Sequence, residues 1–171
     1  MPQPVILETP RLLLREMVPE DAPFFFELNA DPLVIRYTGD KAFNNLQEAL
    51  DITHYVINQY RENGYGRFMV LEKESGSPLG WCGLKYHHDT KETDLGYRFF
   101  QTYWGKGYAT EASKACVQHG FHQLHLNRII AQAMLENTAS IAVMKKTGMT
   151  FLKESFIDGI PSCTYQILKG N

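Results

Sequence analysis

Between Gly66 and Phe100, three strand-like stretches follow one another with only short polar breaks. "GRFMVLEK" from Gly66, "PLGWCGLKYHH" from Pro78 and "TDLGYRFF" from Thr93 are separated by Glu74-Ser75-Gly76-Ser77 and Asp89-Thr90-Lys91. Breaks this short leave no room for the crossover that a parallel pair requires. The stretches therefore read as an antiparallel meander. A chain with this segment at its centre is built round a largely antiparallel sheet, and its remaining elements must cover that sheet's faces.

The flanks carry the covering elements. Arg11 to Glu16, "RLLLRE", reads as a first strand, and Pro19, Glu20 and Asp21 supply helix-start chemistry ahead of Phe24 to Phe26. From Asn45 to Asn63 the apolar positions Leu46, Ala49, Leu50, Ile52, Tyr55, Val56 and Tyr60 recur at helical spacing, with Gly64 as the stop. Beyond the meander, Tyr108 to Leu124 reads as a helix, Arg128 to Met134 as a strand, and Thr138 to Thr147 as a helix closed by Gly148. "TFLKESFI" and "SCTYQILK" form a last hairpin around Asp158-Gly159. The order βαα-βββ-α-β-α-ββ predicts a mixed α/β fold. With 171 residues and no repeat, linker or low-complexity segment, one domain over residues 1–171 is expected.

Composition narrows the function classes. Hydrophobic residues at 44% and charged residues at 21% give a soluble globular profile. A formal net charge of −2 supplies no bulk attraction to nucleic acid or to an anionic membrane. No apolar run approaches the length of a membrane span. The N-terminal stretch has charge where a secretory leader would be apolar. Cys82, Cys116 and Cys163 are odd in number and widely spaced, which reads as free buried thiols in a reducing compartment. A cytoplasmic protein, monomeric or homodimeric, is expected. Five of the six histidines (His87, His88, His119, His122, His125) sit beside no carboxylates at metal-binding spacing, and no metal site is expected.

The feature that points to chemistry is "YWGKGYATEA", residues 103 to 112. Gly105 and Gly107 stand directly before a run of good helix formers. Glycine permits positive φ and close approach to the main chain, and a helix start offers unpaired N–H groups and a positive dipole end. Together these suit a phosphate or pyrophosphate. The pattern lacks the third glycine of a dinucleotide-binding turn and the leading glycine of a P-loop. By itself it reads more readily as a plain helix start with flexible glycines. A second feature is "ENTASIAVMKKTGM", residues 136 to 149, where Asn137 is placed to cap a helix and Ser140 lies one turn in.

Four stretches together resemble the GNAT superfamily of acyl-CoA-dependent N-acetyltransferases, closest to its ribosomal-protein N-terminal branch. They are "ETPRLLLREMVPEDA", "LGYRFFQTYWGKGYATEA", "NRIIAQAMLENTASIAVMKKTGM" and the terminal hairpin. The likeness runs over nearly the whole chain. It implies a mostly antiparallel sheet, splayed between the third meander strand and Arg128–Met134, and flanked by helices. The family's pyrophosphate loop reads Gln/Arg-x-x-Gly-x-Gly/Ala; here Trp104 replaces the first residue, Gly107 is retained and Ala109 is last. The resemblance therefore implies acetyl-CoA as acyl donor. Main-chain groups of Gly105, Lys106, Gly107, Tyr108, Ala109 and Thr110 would hold the pyrophosphate, with Lys106 adding charge. Backbone of Tyr97, Arg98 and Phe99 would pair with the pantetheine arm, and Asn137 would reach it from the other side. For Tyr97 and Phe99 the side chains themselves are expected to pack in the core.

Three family positions for an acid or base hold Thr93, Gln132 and Met144, none of which titrates usefully. Ser140, in the branch's Asn-x-x-Ser pattern, is left to hydrogen-bond the leaving sulfur. Asp94 and Glu92 flank Thr93, but alternation directs them to the other face. The expected activity is acetyl transfer to a primary amine, a protein α-amine or a small molecule. The vacant acid and base positions keep open an alternative in which the fold binds acyl-CoA as a sensor without turnover.

Overall fold

The computed structural model describes residues 4–170. Met1 to Gln3 and Asn171, included in the domain expected from the sequence, lie outside them. Eight strands form one sheet in the order β1-β2-β3-β4-β5-β6-β8-β7. They are β1 (Val5–Glu8), β2 (Leu12–Arg15), β3 (Arg67–Glu72), β4 (Pro78–His87), β5 (Glu92–Phe99), β6 (Arg128–Met134), β7 (Thr150–Ile157) and β8 (Ile160–Leu168). The helices are α1 (Ala22–Ala30), α2 (Pro32–Ile35), α3 (Leu46–Asn63), α4 (Tyr108–His122) and α5 (Thr138–Lys146). The meander is present, with β3, β4 and β5 antiparallel throughout.

Two elements go beyond the sequence expectation. β1 pairs with β2 through a hairpin at Thr9-Pro10; its residues are mostly exposed and carry no alternating pattern. α2 is a single turn, opened by the Asp31 carboxylate accepting from the Leu33 N–H at 2.9 Å. The longer α3 follows its sequence signals: Asn45 caps it by accepting from the Glu48 N–H at 3.1 Å, and Gly64 ends it.

Period-two alternation sends side chains to two cores. Leu12, Leu14, Leu84 and Leu95 face Cys116, Val117 and Phe121 of α4. Met69 and Trp81 point the other way, against Phe25 and Leu28 of α1 and Ala49 and Val56 of α3. Each fully buried leucine contributes about 1.5–3 kcal/mol of transfer free energy. All three cysteines are free and buried, with the Cys82 and Cys116 sulfurs 3.8 Å apart, as free thiols rather than a bridge.

The sheet opens at one place. β5 and β6 run parallel and are in register only at Asp94 and Ile130, after which they diverge. The β6-facing edge of β5 beyond Asp94 therefore lacks ladder partners over Tyr97 to Phe99. Backbone polar groups left without a ladder need another partner. The splay thus prepares an edge for an extended ligand, directly before the glycine loop.

Candidate active site

A cleft of about 480 Å³ opens at the splay. Its walls come from β5, the loop leading into α4, the first turns of α5, and the segment from α2 to Thr38. All of the expected acyl-donor residues except Lys106 line it, and so does Ser140.

The loop wall is built from glycine conformations. Gly105 and Gly107 have φ of 74° and 81°, the left-handed region where a side chain is strained. Gly107 is the N-cap of α4 and brings no capping side chain. The first intrahelical bond is from the Glu111 N–H to the Gly107 carbonyl at 3.0 Å. N–H groups of the first turn consequently remain available to a ligand. Trp104, which stands where the family pattern has Gln or Arg, donates its indole N–H to the Phe99 carbonyl at 2.9 Å and ties the loop to β5.

Arg11 fastens this loop from behind. Its Nε donates to Glu111 Oε2 at 2.7 Å, its Nη1 donates to the Lys106 carbonyl at 2.9 Å, and its guanidinium carbon lies 4.4 Å from the Tyr108 ring centroid. Thr9 Oγ1 and the Arg11 N–H both donate to Glu111 Oε1. Burial works against ionisation of Glu111, but these bonds from Thr9 and Arg11 outweigh it and hold the carboxyl below its ordinary value. The β1–β2 hairpin, missed in the sequence, is therefore the loop's mount.

The opposite wall is the start of α5. Asn137 caps it, accepting from the Ser140 N–H at 3.2 Å, and lines the cleft. Across the cleft, the Tyr97 hydroxyl lies 2.7 Å from Ser140 Oγ and donates to the Ser140 carbonyl at 2.9 Å. Tyr97 was expected to contribute backbone alone, with its ring in the core. The ring does pack against the core, but its hydroxyl reaches the cleft. Burial raises the phenol's pKa above its ordinary value, against a smaller opposing effect of the Ser140 hydrogen bond.

The cations at the cleft differ from expectation. Lys106 is not part of the lining; its ammonium stands 5.7 Å from the ring centroid of Tyr103, which is. Arg36, Arg98 and Lys146 line the cleft instead. Lys146 is the last residue of α5, inside the stretch 136 to 149 but given no role there, and Arg36 directly follows α2, outside the stretches singled out in the sequence.

The three vacant positions are occupied as their side chains dictate. Thr93 is buried with its hydroxyl 2.6 Å from that of Tyr65. Gln132 donates to Thr164 Oγ1 at 3.2 Å, and Met144 is buried in the core. Glu92 pairs with Arg128. Asp94 lies 3.1 Å from His87 and 3.8 Å from Arg67. Burial disfavours its charge, yet His87, Arg67 and Lys85 more than offset this and lower its pKa. Among the described residues no group of three or more His, Cys, Asp and Glu side chains converges.

A strand edge freed by splay, a glycine-opened helix start beside it and a capped second helix across the gap define an acyl-CoA-type transferase fold. The model of the acetyltransferase (GNAT) domain matches residues 11–150. The chain belongs to that family and is an acetyltransferase. The uncharacterized N-acetyltransferase p20 of Bacillus licheniformis is 33% identical over 152 residues, covering 88% of this chain and 84% of the relative. A GNAT-family acetyltransferase structure from Bacillus anthracis superposes with a TM-score of 0.85 at 25% identity, over 96% of this chain and 99% of that one. RimL, the ribosomal L7/L12 α-N-protein acetyltransferase solved with coenzyme A, shares the fold at a TM-score of 0.81. It is 16% identical, over 96% of this chain and 98% of its own.

Proposed function

We propose that the protein transfers the acetyl group of acetyl-CoA to a primary amine, by direct attack while both substrates are bound. The observation that carries this reading is the joining, in one cleft, of the free β5 edge, the glycine-opened start of α4 and the Tyr97–Ser140 contact.

Acetyl-CoA supplies an activated acyl group and a thiolate leaving group. The protein's part is to hold and to move protons. N–H groups of Gly105 to Thr110 take the pyrophosphate, Tyr97 to Phe99 pair with the pantetheine arm, and the Asn137 amide meets it from α5. Backbone N–H groups at the splay stabilise charge that builds on the carbonyl oxygen. The Ser140 hydroxyl donates a hydrogen bond to the departing sulfur while its Oγ accepts one from the Tyr97 hydroxyl, and the proton that the attacking amine gives up to water balances the one that the thiolate takes up. Among the described residues no carboxylate is placed on the Thr93 side to deprotonate the amine, so the acceptor arrives neutral or loses its proton to water. The α-amine of a peptide N-terminus, with a pKa near ~8, needs less help than a lysine near ~10.4. That supports an α-amine or similarly weakly basic acceptor. The free thiols suit a cytoplasmic location.

The test is release of free thiol from acetyl-CoA in the presence of an amine panel, with the N-acetyl product identified by mass. Turnover on a primary amine supports the reading. Tight acetyl-CoA binding with no turnover on any amine would support a sensor instead.

A further inference from the structure

On the other face of the sheet lies a second, smaller pocket of about 180 Å³, walled by α1, α3, the loop at Asp40-Lys41 and the strands β3 to β5. Arg98 lines both this pocket and the acyl-donor cleft. A molecule bound here therefore shares a wall residue with the acyl-donor cleft.

The pocket is built around an arginine. Arg67 on β3 is in register with Gly83 on β4, and Gly83 with Gly96 on β5. A Cβ at Gly96 would lie 2.8 Å from Arg67 Nη2, and one at Gly83 would lie 2.5 Å from Arg67 Cα. Two side chains are thus missing along the row that the Arg67 side chain crosses. Its guanidinium carbon stands 4.5 Å from the Trp81 ring centroid, and that of Arg98 stands 5.4 Å from the same ring.

Arg98 is pinned by Asn29 and Asp40, both accepting at 2.7 Å. Arg67 has no such tether. Its side chain is three-quarters buried, yet its nearest acidic atom is Asp94 Oδ2 at 3.8 Å, and among the described residues its guanidinium donates no hydrogen bond. Stacking on an indole uses the guanidinium's face and leaves its in-plane donors free. The Nε atoms of Arg67 and Arg98 are both buried without partners. Of the charged groups on the pocket wall, Lys41, Arg67 and Arg98 outweigh Asp40. Asp40 answers Arg98, but Asp94 answers Arg67 only from 3.8 Å, so burying this second guanidinium against the same ring is costly unless a further anion joins it.

We propose that this pocket is the acceptor subsite, and that the acceptor amine also carries a carboxylate, which pairs with the fork of Arg67. The proposal rests on the transferase reading above. A planar fork matches a carboxylate in two parallel bonds, and the same cationic wall repels a polyamine. The carboxylate belongs either to a free amino acid or to an acidic residue next to a peptide N-terminus.

The experiment compares kcat/KM, at saturating acetyl-CoA, for L-alanine against L-alaninamide, for the amides of Ala-Asp against Ala-Asn, and for spermidine. Binding of CoA is measured separately by calorimetry. In at least one of the two pairs the carboxylate is expected to win by about tenfold or more, the scale of a hydrogen bond to a charged group; which pair does so identifies the source. Arg67→Gln should cut that ratio to about threefold or less, and Arg67→Lys should leave it between, with CoA affinity unchanged in both. Equal use of carboxylate and amide, preference for spermidine, or a ratio that survives Arg67→Gln would overturn the proposal. If none of these compounds turns over, the same pairs are titrated into the CoA-saturated protein, and equal binding within each pair also overturns it. Failure of CoA to bind would count against the transferase reading itself.

Discussion

The Tyr97 hydroxyl, on β5, lies 2.7 Å from the Ser140 Oγ, on α5, across the gap where the sheet splays. When the phenol proton points at Oγ, the serine proton is free to face the cleft. When it points at the Ser140 carbonyl instead, the serine hydroxyl donates back to the tyrosine. The first arrangement is the one that can protonate a leaving sulfur. Ser140→Ala is expected to lower kcat about ten- to a hundredfold, the low end for one positioned proton donor. KM for acetyl-CoA should barely move, because the lost interaction belongs to the transition state.

Tyr97→Phe tests whether the two act as a unit. It should lower kcat by a similar factor, and the double variant should be little worse than either single one, because groups in one chain are not additive. Fully multiplicative losses would mean that the two hydroxyls act independently. With neither group titrating in the accessible range, the rate should follow the amine's own ionisation and rise toward alkaline pH.

How far the sequence led is visible at this pair. Ser140 was singled out because the resemblance supplies an Asn-x-x-Ser pattern, three residues on from a helix-capping asparagine. The hydroxyl opposite was not, because Tyr97 and Ser140 are 43 residues apart and meet only through the splay. The same limit applies to Arg67, whose path across Gly83 and Gly96 depends on strand register. The meander, α3 and the glycine loop were readable because their signals are local: short turns, helical spacing, a cap and a stop. β1 was not, since an exposed edge strand shows no alternation.

Gly107→Val should abolish the rise in melting temperature that acetyl-CoA produces, since a ligand bound only by the folded state stabilises it by mass action. The position has φ of 81°, and an added Cβ would also lie 3.4 Å from Arg11 Nη2. Thermal melts with and without acetyl-CoA read this out. An unchanged shift would remove the loop from the binding site.

Asn137→Ala removes a cap that accepts from Ser140 N–H. It should cost about 1 kcal/mol of stability and also weaken CoA binding in calorimetry. A loss of stability alone would leave Asn137 as a cap and nothing more.

The Arg11–Glu111 pair should show its contribution through pH. Glu111 has a folded-state pKa below its unfolded value of about 4.3. Its stabilisation is therefore present above that value and lost as pH falls through the folded pKa. Melting temperatures of the wild type and Glu111→Gln should differ at pH 7 and converge as the pH falls below about 4. Arg11→Ala should raise KM for acetyl-CoA by about three- to tenfold through a loosened loop, with less effect on kcat.

The central claim is that the cleft at the β5–β6 splay is an acetyl-transfer site rather than a holding site. Its most direct measurement is thiol release from acetyl-CoA with a panel of primary amines, run beside calorimetric CoA binding on the same preparation. The account predicts saturable binding together with thiol and N-acetyl product in equal amounts for at least one amine, both lost in Gly107→Val. Saturable binding with no product from any amine, carboxylate-bearing ones included, would contradict it.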